Sequence, residues 1–168
     1  MNKYFANLCI LFFSFSFIAE ASERENANGI NQQIDFLISV FTDGIAVSYP
    51  EFRLVKYGNI FESKNDAAAF FSIEGFGGSN VHFEYIAFFA EVPTTVSQKN
   101  HKTYQLISVK KVGGRGWRTF DWQNARIKNH GIEVSVSSYK ESDPMCCPSL
   151  KSITTFTPTA RGEISEKF

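Results

Sequence analysis

Cys146 and Cys147 stand side by side in the run Asp143-Pro144-Met145-Cys146-Cys147-Pro148-Ser149, and the only other cysteine of the chain is Cys9. The favoured reading of adjacent thiols is a structural vicinal disulfide at the mouth of a turn; free buried thiols or a bridge to a second molecule come next, and a thiol switch opened by reduction is the minority reading. Neighbouring Cα atoms sit about 3.8 Å apart, below the usual disulfide range of about 4.4 to 6.8 Å, so a bridge here requires an uncommon turn. Pro144 and Pro148 fix φ on both sides of the pair and limit the loop in either redox state. Redox enzymes usually place their cysteines as C-x-x-C at a helix N-terminus, which favours the thiolate; Asp143 instead puts a carboxylate close by. A soft-metal site needs further ligands, and His82, His101 and His130 lack ligand spacing, so the sequence predicts no metal and no cofactor.

Other chemistry is less well supported. Gly77-Gly78-Ser79 has no strand-to-helix elbow around its serine, and its glycines read as a turn. Glu74, Glu84, Glu91 and Asp121 are carboxylates whose pairing in space spacing alone does not fix. Gly113 to Trp122 mixes aromatic and guanidinium groups. Arg115, Trp117, Arg118 and Trp122 form a candidate binding patch of the composition enriched at interface hot spots, with ordinary core packing as the alternative. In a strand, Phe120 and Trp122 would share a face and Asp121 would point away.

The elements that must position these groups follow from periodicity. From Ile30 the apolar residues Ile34, Leu37, Ile38, Phe41 and Ile45 recur at three- and four-residue steps, predicting a helix with one packed face, capped by Asn28 or Asn31 and ended by Tyr49-Pro50. Strands are predicted at 52–57, 67–73, 81–92 (closed by Pro93), 104–109, 124–128, 132–136, 152–156 and 162–165. Gly75, Gly77 and Gly78 join the second and third, 113–116 is a flexible turn, and Asn129-His130-Gly131 closes a hairpin. The expected fold class is α+β, mainly β: an N-terminal helix packed on an antiparallel sheet.

Ahead of these elements, Lys3 precedes an apolar run from Leu8 to Ile18 that is too short to span a bilayer, and Ala19-Glu20-Ala21 supplies small residues at the cleavage positions. The expectation is a secretory signal peptide over 1–21 and a single domain over 22–168, periplasmic or secreted, with no integral membrane segment after cleavage. Basic and acidic residues number 17 each. Removing Lys3 and Glu20 with the signal leaves the charge at zero, which gives no reason to expect nucleic acid as a partner. Aromatic residues make up 15% of the chain, with 18 phenylalanines, and many of them sit in the strand-like runs, which suits pleated, half-buried surfaces.

Three stretches in order carry a likeness. Gly58-Asn59-Ile60 leads to Asn65-Asp66-Ala67-Ala68. Gly77-Gly78-Ser79-Asn80 precedes Phe83 and Tyr85. The third is the Asp143 to Ser149 run, with 113–118 matching in character. On these residues the chain resembles a group of uncharacterised exported bacterial proteins that includes the mycobacterial LppP/LprE-type lipoproteins. The resemblance implies a fold and a compartment but no activity. In that group the first stretch is often an acidic loop able to hold calcium. Here Asn59, Phe61, Ser63 and Asn65 leave only Glu62 and Asp66 as acids, too few for an ion that takes six to eight oxygens.

The reading that follows is an exported, non-catalytic binding protein, of inhibitor or immunity type, whose partner is another protein in the envelope or outside the cell. Its rival is a thiol/disulfide protein or other envelope enzyme centred on Cys146-Cys147.

Overall fold

Residues 29–42, 44–92, 102–144, 146–159 and 161–168 are described by the computed structural model. The expected signal segment over 1–21, with Cys9, and the residues Asn28, Pro93, His101 and Met145 lie outside them. Among the described residues there is one α-helix, α1 (29–41), and nine strands. The strands are β1 (Leu54–Gly58), β2 (Asp66–Glu74), β3 (His82–Val92), β4 (Thr103–Gly114), β5 (Arg118–Phe120), β6 (Arg126–Lys128), β7 (Gly131–Ser138), β8 (Leu150–Pro158) and β9 (Ile164–Lys167). They form one antiparallel sheet in the order β1-β2-β3-β4-β5-β7-β8-β9, with β6 also paired to β7. The α+β, mainly β class is the one expected.

The sheet folds over on itself. A core cluster joins Ala68, Phe70, Ile86, Phe88 and Val112 of the first four strands to Ile132, Val134, Phe156 and Ile164 of the last three. Those side chains meet face to face, because β4 and β5 are paired only at Gly114 and Arg118, where the sheet turns its corner. The opposite face of β2 and β3 carries a second cluster, in which Ala67, Ala69 and Ala87 lie with Ile30 and Ile34 of α1. β2 is therefore buried on both faces, which is why it reads as a continuous apolar run instead of an alternating one. Ion pairing and hydrogen bonds fix the helix: Arg53 meets Asp35 at 2.7 Å, and the Gln33 amide donates to the Tyr104 carbonyl at 2.9 Å.

Four details differ from expectation. The helix ends at residue 41, and Gly44, at φ 82°, lies where the helical path has been left. Ile45 thus falls off the packed face and is 61% exposed. Gly113 and Gly114 are not a flexible turn; they belong to β4, opposite Glu84 and Phe83. A Cβ on Gly114 would lie 2.5 Å from the His82 carbonyl oxygen, so the close strand approach excludes a side chain. The β6–β7 turn uses Asn129 and His130, both at positive φ, as its two central residues. Gly131 instead lies in β7 against the Phe156 carbonyl. β5 has three residues, too few for alternation to announce it.

Candidate functional site

The hairpin register of β2 and β3 sets Ser72 opposite Glu84 and Glu74 opposite His82, so all four side chains share one face at the open end of the folded sheet. The connection Gly75 to Asn80 makes that register possible, with Gly75, Gly77 and Gly78 at positive φ. Phe52 and Trp122 complete the walls of a cavity of about 220 Å³ over these residues. Spacing alone did not disclose this grouping of two carboxylates and a histidine. The hairpin register implied by the glycine connection was the signal that could have found it.

Glu84 is the chemically distinctive member. Burial pushes its carboxyl up to about 7, against the opposing effects of the Trp122 indole N–H, the Phe120 backbone N–H and the Arg118 charge. It therefore changes ionisation near neutrality. The Trp122 Nε1–H donates to Glu84 Oε2 at 3.1 Å. The indole is itself held between Phe70 and Phe120, with ring centroids at 4.3 and 4.5 Å.

That arrangement divides the candidate patch of Arg115, Trp117, Arg118 and Trp122. Trp122 stacks inward. Arg118 is 6% exposed. Its Nε donates to the Val112 carbonyl at 2.6 Å, while Nη1 and Nη2 reach the two carboxylate oxygens of Glu166 at 2.5 and 3.0 Å. It is a strut joining β4, β5 and β9. Nothing in the sequence marks Glu166 as its partner. Arg115 and Trp117 stand at the surface of the corner turn, where Arg115 Nη1 donates to the Asn80 carbonyl at 3.3 Å and Trp117 is 45% exposed. Phe120 and Trp122 both pack inward although the strand stops at Phe120, because Trp122 opens a 3-10 turn (Trp122–Asn124).

The loop between β7 and β8 carries the cysteines. Cys146 and Cys147 lie exposed with their sulfurs at disulfide distance. The Asp143 carboxylate organises the loop: it accepts from the Lys140 N–H at 2.9 Å, the Ser149 N–H at 2.8 Å and the Ser149 hydroxyl at 2.8 Å. The Lys140 and Ser149 backbone donors are the main reason its carboxyl is held below the usual range. Cys147 N–H donates to the Pro144 carbonyl at 3.0 Å, closing a turn around the pair.

The loop from Ile60 to Asp66 has a structural explanation. Asp66 is 1% exposed. Its oxygens accept the backbone N–H groups of Phe61, Ser63 and Glu91 at 2.7, 3.1 and 3.1 Å. Glu91 accepts from the Ser63 hydroxyl and, at 3.0 Å, the Asn65 amide. Burial raises the Glu91 carboxyl, but Ser63, Asn65 and Lys102 outweigh it and lower it overall. Among the described residues no group of three His, Cys, Asp or Glu could hold a metal.

Large exposed apolar side chains concentrate in one stretch. Phe36, Val40, Ile45, Val47, Tyr49 and Phe52 are between 40% and 71% exposed. The stretch runs from the outer face of α1 to the rim of the Glu84 cavity, because Val47 bridges to Glu74 and Phe52 lines that cavity. No helix among the described residues is long and apolar enough to cross a membrane. No protein-family model, curated protein or solved structure matches this chain.

Proposed function

We propose that this chain is an exported binding protein, periplasmic or secreted, acting on another protein as an inhibitor or immunity-type partner. One observation carries the reading: the exposed apolar stretch from Phe36 to Phe52 ends at a cavity bearing Glu74 and Glu84. Apolar patches of this kind are characteristic of interaction sites. Glu74, exposed at the rim of that cavity, gives the patch a polarity, so the complementary surface is apolar with a basic side chain at one edge. The leader-like segment before Ser22 motivates the compartment.

The test is site-specific photo-crosslinking in the producing cell. A crosslinker at Phe36, Val40 or Phe52 is expected to give a discrete adduct with a second protein in the exported fraction. One at Ile153, exposed on β8, is expected to give none. Equal adducts from both faces, or none from the first three positions, overturn the reading. Intact mass of the exported chain tests the compartment: it is expected to begin at Ser22, and a mass retaining Met1 removes the cleaved signal.

A further inference from the structure

We propose that the Cys146-Cys147 loop is a thiol-exchange site that takes an electron pair from a dithiol reductant. The inference is independent of the binding face. A disulfide stabilises a fold largely by restricting the unfolded chain, by an amount that grows with the length of loop it closes. A bridge between neighbours closes no intervening residues and ties no distant elements together. Neither cysteine belongs to either core cluster, and both are exposed. The loop has another fastening, the Asp143 carboxylate bound to both Lys140 and Ser149, which contains no sulfur and persists after reduction. The pair is thus accessible, and its redox state is separated from the integrity of the fold.

The exchange proceeds in two displacements. A thiolate of the reductant attacks one cysteine Sγ; the S–S bond breaks, a mixed disulfide forms, and the neighbouring cysteine leaves as a thiolate and takes up a proton. The second thiol of the reductant then attacks its own sulfur in the mixed disulfide. This expels the other cysteine thiolate, which is also protonated. Two electrons and two protons have passed to the protein, and the reductant departs as a disulfide.

Two features select the reductant class. A monothiol cannot complete the sequence, because the freed cysteine stays adjacent to the mixed disulfide at high effective concentration and expels the monothiol again. The Asp143 carboxylate, whose ionised form is favoured by its donors, sets a negative charge beside the site and disfavours anionic thiols such as glutathione.

The full exported chain is equilibrated with mixtures of oxidised and reduced dithiothreitol, quenched by alkylation and weighed intact, and both end states are melted. The expected result is reversible passage from no alkyl groups to two, without accumulation of singly alkylated chains. Reduced glutathione at equal thiol concentration is expected to give no lasting adduct. The reduced protein and the Cys146→Ser/Cys147→Ser variant should melt within about 3 °C of the oxidised form, the size of shift that accompanies about 1 kcal/mol in a chain of this length. Thiols that stay free in excess oxidised dithiothreitol, a covalent dimer, or a larger melting loss on reduction would each overturn the proposal. The last would make the bridge structural. None of these outcomes bears on crosslinking at Phe36 or Phe52, so the two proposals fail separately.

Discussion

The Glu84 carboxyl accepts the indole N–H of Trp122 at 3.1 Å across the corner of the folded sheet, from β3 to the turn after β5. A carboxyl in this position is stable when protonated and uncomfortable when charged, and burial accordingly raises it from 4.5 to about 7. Its contribution to stability is complete below the unfolded value and is lost as pH rises through about 7. At about 1.4 kcal/mol per unit, the full difference is on the order of 3 kcal/mol. Glu84→Gln keeps an acceptor for Trp122 but cannot ionise. Urea unfolding is expected to show the variant more stable than the parent at about pH 8 and comparable at about pH 4, by the same linkage. Parallel pH profiles for the two proteins would remove Glu84 as the source.

Arg118 and Glu166 form a two-pronged ion pair in which both side chains are largely buried, at 7% and 14% exposure. Glu166→Ala leaves the guanidinium without its ion-pair partner, among Trp117, Phe120 and the Val112 carbonyl, and is expected to cost about 3 to 5 kcal/mol. Arg118→Met with Glu166→Leu should lose much less, because no buried charge is left alone. Chemical denaturation of the two variants checks the order, and equal losses would mean that the aromatic packing around Arg118 matters more than its charge.

Gly114 has φ 151° and no room for a methyl group beside the His82 carbonyl. Gly114→Ala is therefore expected to destabilise by at least about 2 kcal/mol, as backbone strain and steric overlap add. Gly116→Ala, at φ 74° in open space, meets strain alone and should lose less. The melting temperatures of the two variants make the comparison.

Calcium at millimolar concentration is expected to leave the melting temperature unchanged. Both Asp66 oxygens are already engaged by backbone N–H groups, and Glu91 by Ser63 and Asn65. An EDTA-reversible upward shift would show that the loop opens to the ion, since binding to the folded state alone must raise stability.

How far the sequence disclosed this architecture varied with the kind of signal. β2 and β3 were legible because Ala67 to Ile73 and Val81 to Val92 are long apolar runs bounded by turn residues. The helix was legible through Ile30 and Ile34, but Ile45 continued the period past the true end, because periodicity registers apolar residues and not the backbone turn at Gly44. β5 escaped because three residues hold too little pattern. Gly113 and Gly114 looked like a turn because a glycine needed for close strand approach reads the same as one needed for flexibility. Cys146-Cys147 was plain in the sequence, whereas the role of Asp143 as the loop's fastening required coordinates. Arg118 is a binding candidate by its chemistry alone. What the sequence could not supply was its partner, since Glu166 lies 48 residues away and only the folding-over of the sheet brings them together.

The two cores also differ in when the growing chain can build them. The cluster beneath α1 draws on residues from Ile30 to Val109, whereas the cluster between the folded halves needs Ile132, Phe156 and Ile164. Each strand through β4 pairs with its predecessor, so the first half requires only short loop closures and none of the later sequence. A chain emerging amino end first can zip up α1 and the β1–β4 meander while its remainder is still arriving. The inner face of that meander, with Phe70 and Phe88, then waits uncovered until the last strands fold across it. That interval is when the chain is most open to association with its own copies or to capture by a chaperone.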